Sequence, residues 1–287
     1  MAPKEAQLAG QGAILLCAIL WSTSGLFIKL VDWHPALIAG SRSILAVLVL
    51  FALRRFSRRK RITRQKLIPL FVSGLWYAIT MILFVIANKL TSSANVILLQ
   101  YTAPVWACLL GWLLLREKPH WEHWGALILV SLGMFLVFRG GLAGGSHLGD
   151  ILALLSGISF GANSVVMRMQ KDENPADIMI CAHIITALFS IPFFFIYPPT
   201  LNGGNIISIL FMGIVQIGVA SALFSYGICR VSAVQAMLTA TIEPVLNPVW
   251  VLLVTGEKPA LSVIAGGAVI VLAVVFSSSV SALRRRN

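Results

Sequence analysis

Long apolar stretches recur along almost the whole chain, and only short polar segments separate them. A helix needs roughly 20 mostly apolar residues to cross the hydrocarbon layer of a membrane. Ten stretches approach that length, and they cover residues 12–30, 36–53, 67–88, 93–114, 122–138, 149–168, 176–197, 205–227, 233–254 and 261–280. A β-barrel would instead alternate apolar and polar residues over strands of about ten residues. The pattern therefore predicts an all-α integral membrane protein with ten transmembrane helices.

Composition agrees with this interpretation, since 58% of the residues are hydrophobic, 11% are charged and the mean hydropathy is +0.90. Soluble globular domains usually carry about 25% charged residues. A soluble fold is thereby excluded. The first apolar stretch lacks a cleavage site of small residues before the second, so we expect a retained helix rather than a signal peptide.

Basic residues are concentrated in one segment near the second predicted helix. Residues 54–66 carry eight of the 22 lysines and arginines. Because Lys and Arg near helix ends favour the cytoplasmic side, this segment is expected in the cytoplasm. An even number of crossings then places both termini there, and we expect a multi-pass protein of the bacterial inner membrane. The net charge of +12 follows from this topology, so no nucleic-acid partner is expected.

An internal repeat divides the chain near its midpoint. Thr102-Ala103-Pro104 returns as Ile242-Glu243-Pro244, and a Glu-Lys-Pro triplet at 117–119 returns at 257–259, so both motifs recur at the same spacing. Residues 89–91 correspond to residues 230–232 with one residue of slippage, and residues 21–29 correspond more weakly to residues 160–168. Residues 1–140 and 141–287 are therefore predicted to be two related halves of one membrane domain. Each half holds five crossings, an odd number, so the second half should be inverted relative to the first. Inverted repeats suit alternating access, although a duplicated channel or membrane enzyme would show the same pattern.

The repeated motif resembles that of a known family. Pro104 followed by Arg116-Glu117, and Glu243-Pro244 followed by Gly256-Glu257, resemble the signature of the ten-helix EamA-type exporters in the drug/metabolite transporter superfamily. The first half departs from the signature at Ala103 and Arg116. The resemblance implies a substrate pathway between the halves, lined mainly by helices one, three, four, six, eight and nine. Among such exporters the chain is most similar to bacterial amino-acid exporters, including the aromatic amino-acid type.

The ninth predicted helix has the clearest polar face, because Gln235, Thr239, Glu243 and Asn247 recur at every fourth position. An ionised carboxylate in the middle of a membrane helix costs a few kcal/mol. Glu243 is therefore expected to face the protein interior, protonated or paired, and to bind a substrate amine or a coupling proton. A structural role, in which Glu243 satisfies backbone groups freed by the neighbouring prolines, is equally open.

Polar and aromatic residues on the other pathway helices complete the predicted site. They are Trp21 and Ser24 in the first helix, Trp76, Tyr77, Thr80 and Phe84 in the third, Asn95, Gln100 and Tyr101 in the fourth, Ser159 and Asn163 in the sixth, and Gln216, Ser221 and Tyr226 in the eighth. A lining of this kind fits uncharged or zwitterionic substrates with hydrophobic side chains. Pro104 and Pro244 are predicted hinges. Packing between membrane helices would use the same polar residue types.

The remaining chemistry-bearing residues indicate neither a metal nor a cofactor. Arg42 is a basic residue buried inside the second predicted helix. Snorkelling to the interface, an ion pair with a carboxylate such as Asp32 and a place in the pathway are open for it, and we expect a structural role. The four cysteines show no CxxC spacing, and the five histidines form no ligand motif, with His183 standing alone in its helix. No GxxxxGK[ST] phosphate loop is present, so direct use of ATP would need a separate subunit.

Together these features predict a secondary transporter that exports amino acids, aromatic ones included, or similar small metabolites from the cytoplasm. The expected partners are the small-molecule substrate and the lipid bilayer, and the protein should be a monomer or a weak homodimer. The alternative within transport is a multidrug carrier for lipophilic cations. A membrane enzyme acting on lipid-like substrates is a remote alternative, since the repeated acids Glu117 and Glu257 fall on opposite sides in this topology and have no histidine beside them.

Overall fold

The structure is a computed structural model that describes residues 3–55, 67–91, 93–116, 121–138, 146–170, 175–255 and 261–284. In these ranges all regular structure is helical and no strand is present, which confirms the all-α class there. The helices are α1 (Pro3–Trp21), α2 (Ser24–Leu30), α3 (Pro35–Arg55), α4 (Leu67–Leu90), α5 (Ser93–Gln100), α6 (Ala103–Leu115), α7 (Trp121–Phe138), α8 (His147–Met169), α9 (Pro175–Ile196), α10 (Gly203–Phe211), α11 (Ala220–Ile228), α12 (Ala233–Ala240), α13 (Ile242–Thr255) and α14 (Leu261–Arg284). A π-helical segment, Met212–Val219, joins α10 to α11.

Seven helical segments of the described ranges are long and apolar enough to cross a membrane, which makes the chain a multi-pass membrane protein. They are Glu5–Leu30, Pro35–Arg54, Leu67–Leu90, Asn95–Leu115, His147–Met169, Pro175–Ile196 and Gly203–Ile228, and they coincide with predicted spans one to four and six to eight. The other three predicted spans, five, nine and ten, fall on shorter apolar helical stretches of 10–17 residues within α7, α12–α13 and α14. These stretches are Trp121–Leu136, Ala233–Leu246 and Ile264–Ser277. Residues 56–66 of the basic segment and both Glu-Lys-Pro triplets lie outside the described residues.

Three of the predicted spans are interrupted by a short break in the helix. The first span is broken at residues 22–23, the fourth at 101–102 and the ninth at Thr241. Proline explains the second and third breaks, because its ring removes an N–H donor that a helix interior needs but a first turn does not. Pro104 is the second residue of α6 and Pro244 the third residue of α13. Each proline therefore lies in the first turn of a new helix.

The eighth span contains the π-helical segment, in which each turn is wider than in an α-helix. Two of its glycines approach α3 closely. A Cβ atom added at Gly213 would lie 2.5 Å from Cβ of Leu45, and one added at Gly218 would lie 2.9 Å from Cβ of Val49. Any larger side chain at either position would push the segment away from α3.

Helices from the two halves of the chain pack against each other throughout the molecule. α1 packs on α11, α4 on α8, α3 on α9, α6 on α12 and α7 on α14. Small residues allow several of these contacts. A Cβ atom added at Gly133 of α7 would lie 2.8 Å from the carbonyl oxygen of Gly266 in α14, and one added at Gly161 of α8 would lie 2.7 Å from the carbonyl oxygen of Ala103. Residues from both parts of the chain therefore contribute to each of the two hydrophobic clusters of the described interior.

The outer surface is covered by large apolar side chains. Ile68, Leu113 and Phe195 are among those most exposed, at 78%, 74% and 85%. A water-soluble protein rarely exposes a continuous apolar surface of this extent. The hydrocarbon of a bilayer is the solvent that suits it.

Candidate functional site

A cavity lined by helices from both halves of the chain has an empty volume of about 400 Å³, which includes space open to solvent. Its lining consists of Trp21, Ser24, Arg42, Tyr77, Thr80, Met81, Phe84, Gln100, Phe160, Ile217 and Glu243. The lining is mostly apolar and aromatic, with one acidic and one basic side chain. The cavity can therefore surround a hydrophobic body and contact opposite charges.

Glu243 is held at the helix break of the ninth span. It lies in the first turn of α13, where the backbone dipole favours negative charge, and only 4% of it is exposed. Oε2 of Glu243 is 2.5 Å from the hydroxyl oxygen of Tyr101, which is also 2.8 Å from the carbonyl oxygen of Ala240. Tyr101 thus connects the break in the fourth span to the break in the ninth.

The number of protons limits how this contact can be made. The Tyr101 hydroxyl has one hydrogen and can donate it to one acceptor at a time. Both contacts of the hydroxyl can be hydrogen bonds at the same time if Glu243 is protonated. Glu243 then donates to the Tyr101 hydroxyl, and Tyr101 donates to the carbonyl oxygen of Ala240. If Glu243 were ionised, the Tyr101 hydroxyl would donate its hydrogen bond to the carboxylate, and the Ala240 carbonyl oxygen would lose its donor. The geometry therefore accommodates a proton on Glu243.

Arg42 is the second charged group in the cavity, and it comes from the middle of α3. It is only 1% exposed, and its Nε, Nη1 and Nη2 atoms have no hydrogen-bond partner among the described residues. A place in the pathway was one of the alternatives left open by the sequence, because a single arginine in an apolar helix does not reveal which side of the helix faces the interior.

Side-chain hydrogen bonds fix the wall formed by α4, α5 and α8. Gln100 donates to the hydroxyl of Ser156 at 2.9 Å, and Ser156 donates to the carbonyl oxygen of Thr80 at 3.1 Å. Ser159 donates to the carbonyl oxygen of Trp76 at 2.6 Å. Each bond crosses between the two halves of the chain. The predicted residues Gln100 and Ser159 therefore hold the cavity wall together.

Aromatic rings form another part of the lining. The Trp21 ring centroid is 5.5 Å from that of Phe160 and 5.4 Å from that of Phe224. Contacts at these distances stabilise by about 0.5–1.5 kcal/mol beyond the burial of area. Trp21 and Phe160 come from α1 and α8, so this wall also combines the two halves. An apolar substrate group would find a preformed surface here.

A buried hydrogen-bond network around His183 includes Ser43, the residue that follows Arg42 in the chain. His183 of α9 is 3.3 Å from the hydroxyl of Ser43 through Nδ1 and 3.1 Å from the hydroxyl of Ser221 through Nε2. His183, which stands alone in the sequence, therefore joins α3 and α11. One ring nitrogen donates and the other accepts in the neutral imidazole, and a hydroxyl can supply either partner.

The structure brings seven of the predicted site residues into the cavity lining: Trp21, Ser24, Tyr77, Thr80, Phe84, Gln100 and Glu243. Four more predicted residues are not part of the lining but make side-chain hydrogen bonds. The pairs are Tyr101 with Glu243, Ser159 with Trp76, Gln216 with Thr23, and Ser221 with His183. Asn95 donates to Asp150, Asn163 to the sulfur of Met167, and Gln235 belongs to the capping box that begins α12, with Thr239 one turn later. Trp76 and Tyr226 are 37% and 39% exposed. The side chain of Asn247 lies outside the described residues.

Four lining residues were missing from the predicted site: Arg42, Met81, Phe160 and Ile217. Met81 and Ile217 resemble any other apolar residue of a membrane helix, so the sequence has no signal for them. In the repeat predicted from the sequence, Phe160 is paired with Trp21. That correspondence could have identified it. In the described part of the chain no group of three or more His, Cys, Asp or Glu side chains could hold a metal.

Comparison with known proteins establishes the class to which this fold and cavity belong. The model of the EamA-like transporter family matches residues 8–139 and again residues 147–279. The chain therefore belongs to the EamA-like transporter family.

Individual relatives are transporters. An uncharacterized transporter of Archaeoglobus fulgidus is 27% identical over 274 residues, which are 93% of this chain and 96% of the relative. The pseudopaline exporter CntI of Pseudomonas aeruginosa is 24% identical over 82% of each chain. An S-adenosylmethionine/S-adenosylhomocysteine transporter of Chlamydia muridarum is 33% identical over 134 residues, which are 45% of this chain and 42% of the relative.

One solved crystal structure superposes on this chain with a TM-score of 0.78 and 22% sequence identity. The superposition covers 99% of each chain. At this identity the likeness shows a shared fold.

Proposed function

We propose that the protein is a secondary transporter that moves amino acids, aromatic ones included, out of the cytoplasm by alternating access. The carrying observation is the central cavity, which both halves line and in which Glu243 and the Trp21–Phe160 pair lie together. The carboxyl group of Glu243 would bind the substrate amine, and the aromatic wall would accept a hydrophobic side chain. Release of substrate would allow Glu243 to take up a proton and return to its contact with Tyr101.

The proposal includes ten spans arranged as two inverted five-helix repeats, residues 1–140 and 141–287. The packing pairs support it, because exchange of the halves converts the α1–α11 contact into the α8–α4 contact and leaves the α3–α9 and α7–α14 contacts unchanged. The two matches of the family model support the same division.

Two cationic contacts at helix ends also support the repeat. Lys29 donates to the carbonyl oxygen of Thr91 at 3.2 Å, just beyond the end of α4. Arg168, its counterpart in the second half, donates to the carbonyl oxygen of Cys229 at 3.0 Å, just beyond the end of α11. Cations at helix C-termini are stabilised by the backbone dipole. Inversion would place these two contacts at opposite membrane faces, with Arg168 and both termini in the cytoplasm of a bacterial cell.

Export of small metabolites has precedent among the relatives, one of which transports S-adenosylmethionine and another of which exports pseudopaline. These names describe the relatives. For this chain the amino-acid assignment rests on the chemistry of the cavity. An acidic group, a basic group and aromatic rings line the same cavity, and this combination suits a zwitterion with an apolar side chain.

Efflux of lipophilic cations is the second candidate, and it is favoured by the acidic Glu243 among aromatic rings. Arg42 in the same cavity opposes it, since a positive charge in a site of low dielectric repels a cation strongly. An ethidium transport assay separates the two candidates. Amino-acid export predicts no ethidium movement above that in protein-free liposomes.

The test of the proposed function is counterflow into liposomes that contain the purified protein and are preloaded with a mixture of unlabelled amino acids. Labelled phenylalanine and labelled threonine are added outside in parallel, and protein-free liposomes are the blank. We expect phenylalanine to accumulate above the blank and above threonine. Protein that is folded and accumulates neither amino acid would refute amino-acid transport.

The variant Glu243→Gln identifies the role of the carboxyl group. The amide keeps the size of the side chain and a hydrogen-bond partner for Tyr101 but cannot carry the negative charge. Loss of a hydrogen bond to a charged group reduces binding by about tenfold or more, so phenylalanine counterflow should fall by at least that factor. Glu5→Gln, on an exposed residue of α1, is the matched control and should leave counterflow unchanged. Equal counterflow in Glu243→Gln and wild type would remove Glu243 from the mechanism.

A further inference from the structure

Arg42 is a buried cation whose donors are unused. Its side chain is 1% exposed, and all three guanidinium nitrogens lack a hydrogen-bond partner in the described part of the chain. Burial of an unpaired charge is among the most costly arrangements in a protein. A fold tolerates such a cost where the charge has a function that a neutral side chain could not perform.

Glu243 does not neutralise Arg42, although both line the same cavity. The hydrogen-bond partner of the Glu243 carboxyl is Tyr101, and no ion pair joins Glu243 to Arg42 in the described residues. The two groups therefore remain separate contributors to the cavity wall. One comes from α3 in the first half and the other from α13 in the second half.

We propose that Arg42 binds the carboxylate of the transported substrate, so that the cavity recognises a small molecule with an anionic group at Arg42 and a cationic amine at Glu243. This inference rests on the proposed function, because it requires the cavity to hold the substrate. Guanidinium groups bind carboxylates through two parallel hydrogen bonds, and the unpartnered nitrogens of Arg42 provide these donors.

The cavity favours a carboxylate over a phosphate or another multiply charged anion. Arg42 is the only cation among the described lining residues, whereas a doubly charged group buried in a site of low dielectric needs more than one positive partner. The aromatic wall accepts an apolar body between the two polar ends. The substrate class is therefore a zwitterion with a hydrophobic side chain, and molecules with only one of the two charges are poor substrates.

The experiment measures binding to the purified full chain in detergent, by calorimetry and by the shift of the thermal unfolding midpoint. The probes share one apolar body: phenylalanine has both charges, 3-phenylpropionate has only the carboxylate, and phenylalaninamide keeps the amine but lacks the carboxylate. Wild-type protein should bind phenylalanine about tenfold or more tightly than phenylalaninamide, because only phenylalanine offers a carboxylate for the charged hydrogen bonds of Arg42.

Two variants test the residue itself. Arg42→Gln should weaken phenylalanine binding about tenfold or more and should abolish binding of 3-phenylpropionate, whereas phenylalaninamide should bind no more weakly than to wild type. Arg42→Lys keeps the charge but loses the planar donor pair, so it should fall between wild type and Arg42→Gln. Arg230→Gln, a position outside the cavity where the guanidinium lies over the Tyr226 ring, is the matched control and should bind all three probes as wild type does.

The thermal unfolding midpoint without any probe separates binding from structure. Removal of an unpaired buried charge should leave the midpoint unchanged or raise it, whereas loss of a structural contact would lower it. Wild-type protein that binds phenylalanine and phenylalaninamide equally overturns the inference, even if Arg42→Gln fails to fold. Phenylalanine counterflow that persists unchanged in Arg42→Gln overturns it as well and leaves the transporter proposal standing, while absence of counterflow in wild type refutes the amino-acid assignment.

Discussion

Tyr101 and Glu243 are 142 positions apart in the chain, yet the hydroxyl oxygen of one lies 2.5 Å from a carboxyl oxygen of the other. Tyr101 lies in the break of the fourth span, and Glu243 lies just after the break of the ninth. Each break is followed by a proline in the first turn of the next helix. The contact therefore joins the two places where the backbone of the fourth and ninth spans is interrupted. A change of backbone position at the break of the fourth span would therefore alter the hydrogen bond that Tyr101 makes with the Glu243 carboxyl group.

Replacement of Tyr101 by Phe should destabilise the protein. The change removes one hydroxyl and leaves the buried Ala240 carbonyl and the Glu243 carboxyl without their partner. An unsatisfied buried polar group costs about 1–3 kcal/mol, so the thermal unfolding midpoint of the purified protein should fall. Tyr226→Phe, at a side chain that is 39% exposed, should leave the midpoint within error of wild type. Equal midpoints for Tyr101→Phe and wild type would show that the contact has no net stabilising effect.

Gly161→Ala should impair both stability and transport. The added Cβ atom would lie 2.7 Å from the carbonyl oxygen of Ala103 and 2.7 Å from Cβ of Trp106, so α8 must move away from the break in the fourth span. Overpacking of this kind costs about 1–3 kcal/mol. We expect a lower thermal midpoint and slower phenylalanine counterflow.

Gly12→Ala is the control for this change, because a Cβ atom at Gly12 of α1 would meet nothing within 4 Å. Alanine stabilises a helix interior relative to glycine by roughly 0.5–1 kcal/mol. Gly12→Ala should therefore be neutral or slightly stabilising. A similar loss in both variants would mean that helix flexibility, and not the contact with Ala103, determines the result.

The ion pair between Arg54 and Asp177 should couple α3 to α9. Nη2 of Arg54 donates to Oδ2 of Asp177 at 2.9 Å, Nε of Arg54 contacts Oδ1, and the side chains are 18% and 13% exposed. Exposed pairs usually contribute about 0–1 kcal/mol, so we expect a coupling near the upper end, about 1 kcal/mol. Midpoints of Arg54→Gln, Asp177→Asn and the double variant give this coupling. Strictly additive losses would show that the two side chains act independently.

Leu30 and Met169 test the inverted topology, since they occupy corresponding positions of the two halves and are 56% and 52% exposed. Each is changed to Cys in a protein whose four native cysteines are replaced by Ala. In intact bacterial cells a membrane-impermeant maleimide should label Leu30→Cys but not Met169→Cys, which should react only after permeabilisation. Labelling of both from one side would refute the inversion, and the reverse pattern would refute only the assigned orientation.

The sequence predicted the all-α membrane class because composition and long apolar stretches depend on residue type alone. Pro104 and Pro244 were also informative, because proline lacks an N–H donor and is tolerated best in the first turn of a helix, where both residues lie. The sequence did not predict contacts between side chains that are far apart in the chain. The hydrogen bond between Gln100 and Ser156, which are 56 positions apart, is an example. Arg42 shows the main limit. The rotation of α3 about its axis depends on α9 and the π-helical segment packed against it, and no local pattern in α3 encodes that rotation.

The π-helical segment makes the two halves unequal. Its counterpart in the first half, α4, is a continuous α-helix from Leu67 to Leu90. Corresponding positions are farther apart in the chain at Lys89 and Arg230 than at Trp21 and Phe160, so the second half contains added residues before the end of its eighth span. If the halves were identical in the proposed inverted arrangement, a two-fold rotation would interchange the two states, and the empty carrier would populate both equally. We expect the π-helical segment, which has no equivalent in α4, to break that equality, so that the empty protein favours one side of the membrane.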